Sequence, residues 1–244
     1  MKVVIDMDKN ELMISLMKKI SKECDEGEYN YRSIASLREA FAGNVDLDQN
    51  ALRAFVNKML TMDDIELGLK VLENTYALEI AFPEIGNLKG LEQPSKYHAY
   101  DAYGHTMEAV KYCENDLVLR LTMLLHDISK PSCKNVDENG KITFYGHGIK
   151  GCRKAYNMLT RMGYSKEICN EVSLYIRHHM DYAPTERSVD KMVKDLGNYI
   201  TRVENLLKVK LYDRYASKGK DDEIARKAEE EIAEYRKILN KYIR

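Results

Sequence analysis

The chain has 244 residues, 44% of them hydrophobic and 32% charged, with a formal net charge of −1. Those totals suit a globular protein, exclude a disordered one, and leave no chain-wide field that would steer it to nucleic acid; only a local basic face remains open. No apolar run approaches the roughly 20 residues of a membrane span, and the N-terminus MKVVIDMDKN turns acidic without the apolar core of a signal peptide, so a soluble, cytoplasmic protein with no membrane partner is expected. The five cysteines are odd in number and lack CxxC spacing, which points to reduced thiols.

Breakers are sparse, with four prolines in the chain, and the long stretches between glycines read as helices. Residues 9–24 place Met13, Leu16, Met17 and Ile20 on one stripe. A second helix is expected near Ser33–Phe41. A third is expected near Asp48–Leu60, with Asp46 or Asp48 as its cap. Residues 61–82 continue the helical pattern, and Thr61 or Asp63 is the candidate cap. The turn-rich stretch FPEIGNLKGLEQPSKYHAYDAYG follows as a linker or structured loop. Helix resumes from His105 through Tyr112. Leu117–His126, apolar except for Arg120 and Thr122, should be the central buried helix, stopped by Pro131. Around Asn139-Gly140 the segment VDENGKITFYGHG reads as a short hairpin or an extended loop. Helices return at Ile149–Met162, Lys166–His179, Val189–Leu196 and Tyr199–Ser217. The charged last segment carries an apolar stripe of Ile224, Ala228, Ile232, Tyr235 and Leu239. The fold class is therefore all-α. The expected organisation is a helical neck-like region over 1–90, a larger domain over 91–220, and a C-terminal amphipathic helix over 221–244 that packs on the domain or on a partner.

All six histidines lie between His98 and His179. His105 follows Gly104 at an expected helix start. His126 closes the apolar helix and is followed at once by Asp127. His147 sits in the turn Gly146–Gly148, and His178-His179 end their helix. Side chains at helix ends can converge on one cleft. Neutral imidazole with carboxylate favours divalent first-row cations such as Mn, Fe, Co, Ni or Zn, and no cysteine is adjacent to suggest a structural thiolate zinc site. Asp127 can bridge two ions. Asp213 extends the stripe Leu206, Val209, Asp213 and should face inward. There it needs a cation or strong donors: a metal, or a salt bridge to Arg202, Lys210 or Arg214.

The pattern His105 … His126-Asp127 … Asp213 resembles the HD superfamily of metal-dependent phosphohydrolases. LLHDISKP is similar to its HD-x-G-K segment, with Ser129 in place of the usual glycine and Lys130 kept. The fuller set, with His147 and the His178-His179 pair, resembles the two-metal branch. That resemblance implies an HD-domain helical bundle with a small N-terminal neck and a C-terminal helix. It further implies a first ion on His105, His126, Asp127 and Asp213. Asp127 would bridge to a second ion on His147 and on His178, His179 or both, with Mg added to the candidate metals. Across roughly Leu60–Ser217, the stretches AFPEIGNLKGLEQPSKYHAYDAYGHT, TFYGHGIKG and RHHM resemble the neck and HD portion of bacterial tRNA nucleotidyltransferases and poly(A) polymerases. Those enzymes also carry a nucleotidyltransferase head. The chain has no room for it, and Asp6 and Asp8 in VIDMD lack the preceding Gly-Ser turn, so nucleotide addition to RNA is not expected.

The expected function is a metal-dependent phosphohydrolase acting by metal-activated water on a phosphomonoester or phosphodiester, with a 2′,3′-cyclic, 2′- or 3′-nucleotide favoured as substrate. Asp127 and Lys130 would be catalytic, and Lys130 would sit near the substrate phosphate. Tyr145 and Arg177 are candidate substrate contacts, and His98 and Asp101 are candidates to orient a ligand or the substrate. An RNA end is a further candidate substrate, and the outer helices allow a homodimer. Two alternatives belong to other classes: a non-catalytic RNA- or protein-binding module with a structural metal, and a deoxynucleotide 5′-phosphatase.

Overall fold

The computed structural model describes residues 8–42, 47–94, 96–220 and 222–242. Asp6 and the cap candidate Asp46 lie outside them. The described chain is helical throughout, apart from one two-stranded hairpin. It divides into two compact units. One takes the chain up to Pro83 together with Arg161–Gly163, and the other takes Glu84–Thr160 and the chain from Tyr164 onward.

The first unit holds α1 (Lys9–Asp25), α2 (Tyr31–Phe41), α3 (Gln49–Leu60), α4 (Ile65–Asn74) and α5 (Ala77–Ala81). The stripe expected on α1 is the buried one: Met13, Met17 and Ile20 are almost fully enclosed, while Leu16 is half-buried. Acidic and amide side chains start these helices by accepting free N–H groups of the first turn. Asp8 accepts from Asn10, Asn30 from Arg32 and Ser33, and Asp48 from Asn50 and Ala51. The cap of α4 is Asp64, which accepts from the Leu67 amide, so neither Thr61 nor Asp63 takes that place. Thr61 instead closes α3, its hydroxyl bonded back to the Asn57 carbonyl. The helical pattern expected over 61–82 is broken at Tyr76, which takes φ 60 and starts the short α5.

A 3-10 turn, Pro83–Leu88, carries the chain from the first unit into the second, where a loop leads to α6 (Ala102–Tyr112). Next come α7 (Leu117–Leu125), a 3-10 turn at Lys130–Cys133, β1 (Asn135–Val136) and β2 (Ile142–Thr143). They are followed by α8 (His147–Arg161), α9 (Lys166–His178), α10 (Glu186–Asp195), α11 (Ile200–Lys218) and α12 (Glu223–Leu239). β1 and β2 pair antiparallel, Asn135 with Thr143 and Val136 with Ile142, so the Asn139-Gly140 signal marks a hairpin. Gly140 takes φ +76 in its turn, and the Asp137 carboxylate accepts the amides of Asn139 and Lys141.

The apolar α7 is central, as its composition requires. It packs on α6, α9 and α11, and Leu121, Met123, Leu124 and Leu125 have no exposed surface. α12 lies on α10 and α11 through Ala228, Ile232, Tyr235 and Leu239. Among the described residues no helix is long and apolar enough to cross a membrane. All five cysteines are free thiols.

Candidate metal centre

Four helix ends and one long helix bring the site together within the second unit. α6 begins a turn earlier than the glycine signal suggested. Asp101 caps it by accepting the Gly104 amide with one oxygen, at 2.7 Å, and holds the Gly90 amide with the other, also at 2.7 Å. His105 is thereby placed one turn inside α6, fully buried. His126 and Asp127 follow the last turn of α7, and Lys130 follows one turn later. His147 is the first residue of α8, two residues ahead of the expected start, and His179 caps the end of α9. Asp213 lies on α11, whose Leu206 and Val209 are fully buried.

The donor atoms form two groups joined by Asp127. His105, His126 and Asp127 make one group, and Asp127, His147 and His179 make the other. Within each group the donor atoms lie within 4.8 Å of one another. Nε2 of His126 is 3.2 Å from Asp127 Oδ2, and Nε2 of His105 is 3.6 Å from the same oxygen. The other oxygen, Oδ1, is 3.4 Å from His147 Nε2. Asp213 joins the first group, with Oδ1 2.9 Å from His105 Nε2 and 3.7 Å from His126 Nε2. Between the rings, Nε2 to Nε2 is 3.2 Å for His105 and His126 and 3.0 Å for His147 and His179.

The ring orientation is set from behind. Nδ1 of His126, His147 and His179 lies 2.7, 2.8 and 2.7 Å from the carbonyl oxygens of Met123, Phe144 and Ile176 respectively. A carbonyl can only accept, so each Nδ1 carries a proton and Nε2 is the ring nitrogen turned to the centre, the one that would ligate in the neutral imidazole. This is the arrangement that fixes a metal-binding histidine in its ligating tautomer.

These residues fit a divalent cation. The buried Asp127 carboxylate has no directed hydrogen bond to either oxygen, although the Lys130 ammonium is in ion-pair contact at 2.6 Å. Lys130 meets only Oδ2, so the buried Oδ1 is left without a donor; that is costly, and a cation relieves it. Two nitrogens each about 2.1 Å from one ion and at right angles to each other lie about 3.0 Å apart, close to the ring spacings observed. The donor set of imidazole and carboxylate, with no thiolate, suits first-row divalent ions.

Electrostatics couple the same groups. Burial disfavours a charged His126, but the carboxylates of Asp127 and Asp213 outweigh it and raise its pKa to about 10. Burial likewise works against the two carboxylates. His126 and Lys130 nevertheless hold Asp127 well below the usual range, and hydrogen bonds with His105 and His126 do the same for Asp213. His179 is pushed down to about 3, first by burial and then by His147 and His126.

Not every expected residue enters the cluster. His178 turns away: its Nδ1 meets Asp181 Oδ2 at 2.8 Å and the Tyr182 hydroxyl at 3.0 Å, and its ring stacks on Tyr182. Of the pair, His179 is the one placed among the donors. The two rings differ because consecutive residues at a helix end point about 100° apart. Tyr145 is 82% exposed, and Arg177 is also exposed; neither belongs to the donor groups. His98 stands edge-on against the His105 ring at 5.0 Å. Burial and then the Lys130 charge lower its pKa to about 3. Asp101 acts on α6 rather than on a donor. Asp213 meets His105 rather than any of the three cations considered for it: Arg202 pairs with Glu171, and Lys210 donates to the carbonyls of His179 and Asp181.

Two contacts carry no signal in the sequence. Gln93, in the loop before α6, accepts from the Lys130 ammonium at 2.5 Å. Ser129 Oγ donates to the His147 carbonyl at 2.6 Å and ties the end of α7 to the start of α8. The hydroxyl at the position where the resembled motif has glycine is therefore a structural link.

Comparison with known families matches the HD domain over residues 97–239, which takes in the whole cluster. The chain belongs to the HD-domain family. HD domains are all-helical and characterise a superfamily of metal-dependent phosphohydrolases, in keeping with the donor cluster seen here. The chain is similar to the CC-adding tRNA nucleotidyltransferase of Thermus thermophilus, with 32% identity over 75% of this chain and 42% of that protein. It is 27% identical to the A-adding tRNA nucleotidyltransferase of Deinococcus radiodurans, over 69% of this chain and 39% of that one. A bifunctional uridylyltransferase/uridylyl-removing enzyme of Rhodospirillum rubrum matches at 27% over 66% of this chain and 19% of its own length. The chain thus spans less than half the length of each of these relatives.

Proposed function

We propose that this HD domain is a metal-dependent phosphohydrolase of nucleotides, with 2′,3′-cyclic, 2′- or 3′-phosphate esters as the favoured substrates. The observation that carries this reading is Asp127. Its two oxygens face two different histidine groups, and neither receives a directed hydrogen bond. His105, His126, Asp127 and Asp213 would hold one divalent ion, and Asp127, His147 and His179 a second. Such a pair polarises a phosphoryl oxygen and makes water a competent nucleophile near neutral pH.

The chain's own residues do the rest. Carbonyl-anchored Nδ1 atoms keep three imidazoles in the ligating tautomer. Gln93 and Phe144 hold the Lys130 ammonium beside Asp127, where its charge offsets that developing on the phosphoryl oxygens. Similarity to a protein named for uridylyl removal supports cleavage at a nucleotidyl phosphate.

The test is a panel of 2′,3′-cyclic, 2′-, 3′- and 5′-nucleotides assayed with Mn, Ni, Co and Fe. Turnover of the cyclic or 2′/3′ esters is expected. Preference for 5′-deoxynucleotides would replace the substrate class. No hydrolysis with any of these metals would leave the enzyme reading without support and favour a binding module with a structural metal.

A further inference from the structure

α11 carries three cations at successive turns: Lys210, Arg214 and Lys218. At 1.5 Å per residue they rise about 6 Å from one to the next and about 12 Å in all, and the row starts beside Asp213. Two adjoining hollows follow it. A small one of about 30 Å³ is lined by His179, Lys210, Asp213, Arg214 and Glu231. A larger one of about 520 Å³ is lined by Lys96, Tyr97, Arg214, Lys218 and Lys227 and by the carboxylates of Asp222, Glu223 and Glu231. They share Arg214, Ala228 and Glu231, so they adjoin as one groove along α11 and α12, whose narrow end is lined by His179 and Asp213 of the candidate metal centre.

The charges in that groove are unequally committed. Lys210 is engaged with the His179 and Asp181 carbonyls, and Lys227 pairs with Glu223. Asp222 caps α12 through the Ile224 amide, and Glu231 accepts from the Tyr235 hydroxyl. Arg214 and Lys218 form no ion pair among the described residues, and both are exposed. A cation in the last turn of a helix suits the helix dipole, which accounts for Lys218 but not for Arg214 one turn earlier. Lys96 lies over the ring of Tyr97, which is 49% exposed on the same groove. The loop bearing them is fixed to the end of α11 by the Ala99 amide, which donates to the Ser217 carbonyl at 2.8 Å.

We infer that this groove binds the body of a single-stranded oligonucleotide whose terminal phosphate ester lies at the metal centre. A single row of cations tracks one backbone, and an exposed aromatic beside it offers a stacking face for a base. Rungs one helical turn apart suit phosphates separated by a nucleotide unit and exceed the spacing of contiguous phosphates in a nucleoside polyphosphate. The inference rests on the phosphohydrolase reading only for what happens at the terminal phosphate.

The test is binding, read separately from turnover. Fluorescence anisotropy would follow a labelled single-stranded RNA ending in a hydrolysis-resistant 3′-phosphorothioate, across a salt series. For a single strand, each phosphate contact contributes about 0.7 to the slope of log affinity against log salt. Arg214→Ala and Lys218→Ala should each reduce the slope by about that amount, and the double variant by about twice as much. Lys166→Ala, at the opposite end of α9, should leave it unchanged. Wild-type slopes in the Arg214 and Lys218 variants overturn the inference, as does a nucleoside triphosphate that competes as well as the RNA. A 2′,3′-cyclic mononucleotide assayed on the wild-type protein reports on the hydrolase reading alone, so either idea can fail without the other.

Discussion

His147 and His179 face each other through their Nε2 atoms at 3.0 Å, while the Nδ1 of each is bonded to a main-chain carbonyl. With both rings neutral the two Nε2 atoms turn lone pairs to each other, and two lone pairs at that distance repel. A shared cation turns that repulsion into ligation, with Asp127 Oδ1 nearby to complete the group. Divalent metal should accordingly stabilise the fold. A ligand at about 100 times its Kd adds about 2.7 kcal/mol, or roughly 5–10 °C in Tm for a chain of this size. Asp127→Asn preserves volume but removes the charge common to both groups, so it should abolish most of that shift and reduce bound metal and hydrolysis by more than about 100-fold. Scanning calorimetry with and without Mn, together with metal analysis, checks this. An undiminished Mn shift in Asp127→Asn would contradict the assignment.

The charge state of the metal-free cluster predicts how it responds to pH. His126 is raised from 6.5 to about 10, so its contribution to stability is complete below pH 6.5 and is lost as pH climbs toward about 10. Asp127 and Asp213 are depressed below 3.8, so their contribution is present above that value and is lost as pH falls beneath it. Metal-free protein should thus weaken between pH 7 and 10, as followed by urea denaturation in chelator. Metal-loaded protein, with His126 ligating in its neutral form, should not show that loss. Loading at pH 7.5 must also expel the His126 proton, which calorimetry in buffers of different ionisation enthalpy counts directly. Release of no proton would mean that His126 is not a ligand.

Much of this architecture was legible in the residue order. The 3.6-residue stripe of α1, the apolar α7 with only Arg120 and Thr122 as exceptions, and the Asn139-Gly140 hairpin each follow from local rules. The grouping of histidines and Asp127 at helix ends was also readable, because chain direction fixes where a helix end falls. What composition cannot supply is azimuth. His178 and His179 are chemically identical, and only the packing of α9 decides which one points inward. Gln93 was invisible for a related reason. Its contact with Lys130 spans 37 residues and depends on how the loop before α6 folds back, which Asp101 arranges by holding both Gly90 and Gly104. Asp64 displaced Thr61 and Asp63 as a cap because the start of α4 depends on where α3 ends.

Ser129 offers a test of the link between α7 and α8. Its hydroxyl donates at 2.6 Å to the carbonyl of His147, the residue that opens α8 and belongs to the second donor group. Both partners are buried. Ser129→Ala leaves that carbonyl without this donor at a cost of about 1–2 kcal/mol, roughly 2–8 °C in Tm. The ring of His147 is held separately through Nδ1 and Phe144, so activity should fall by less than about 10-fold, well short of the effect of losing a ligand. A thermal melt beside the phosphoesterase assay separates the two effects. Loss of bound metal in Ser129→Ala would show that the hydroxyl does more than tie two helix ends.

Gly68 is the corresponding test for the first unit. It lies within α4, fully enclosed, and a Cβ built on it meets the Met59 carbonyl oxygen of α3 at 2.2 Å. Helix propensity alone favours alanine there by about 1 kcal/mol. Main chain cannot rotate out of the way as a side chain would, so Gly68→Ala has to move α4 off α3 and disturb the buried Leu69, Leu72 and Met59. The packing loss should exceed the propensity gain, for a net destabilisation of about 2 kcal/mol by chemical denaturation. The conformational freedom of glycine is not what is at stake, since the residue has helical backbone. A neutral or stabilising Gly68→Ala would mean that α3 and α4 cross with more room than the structure gives them.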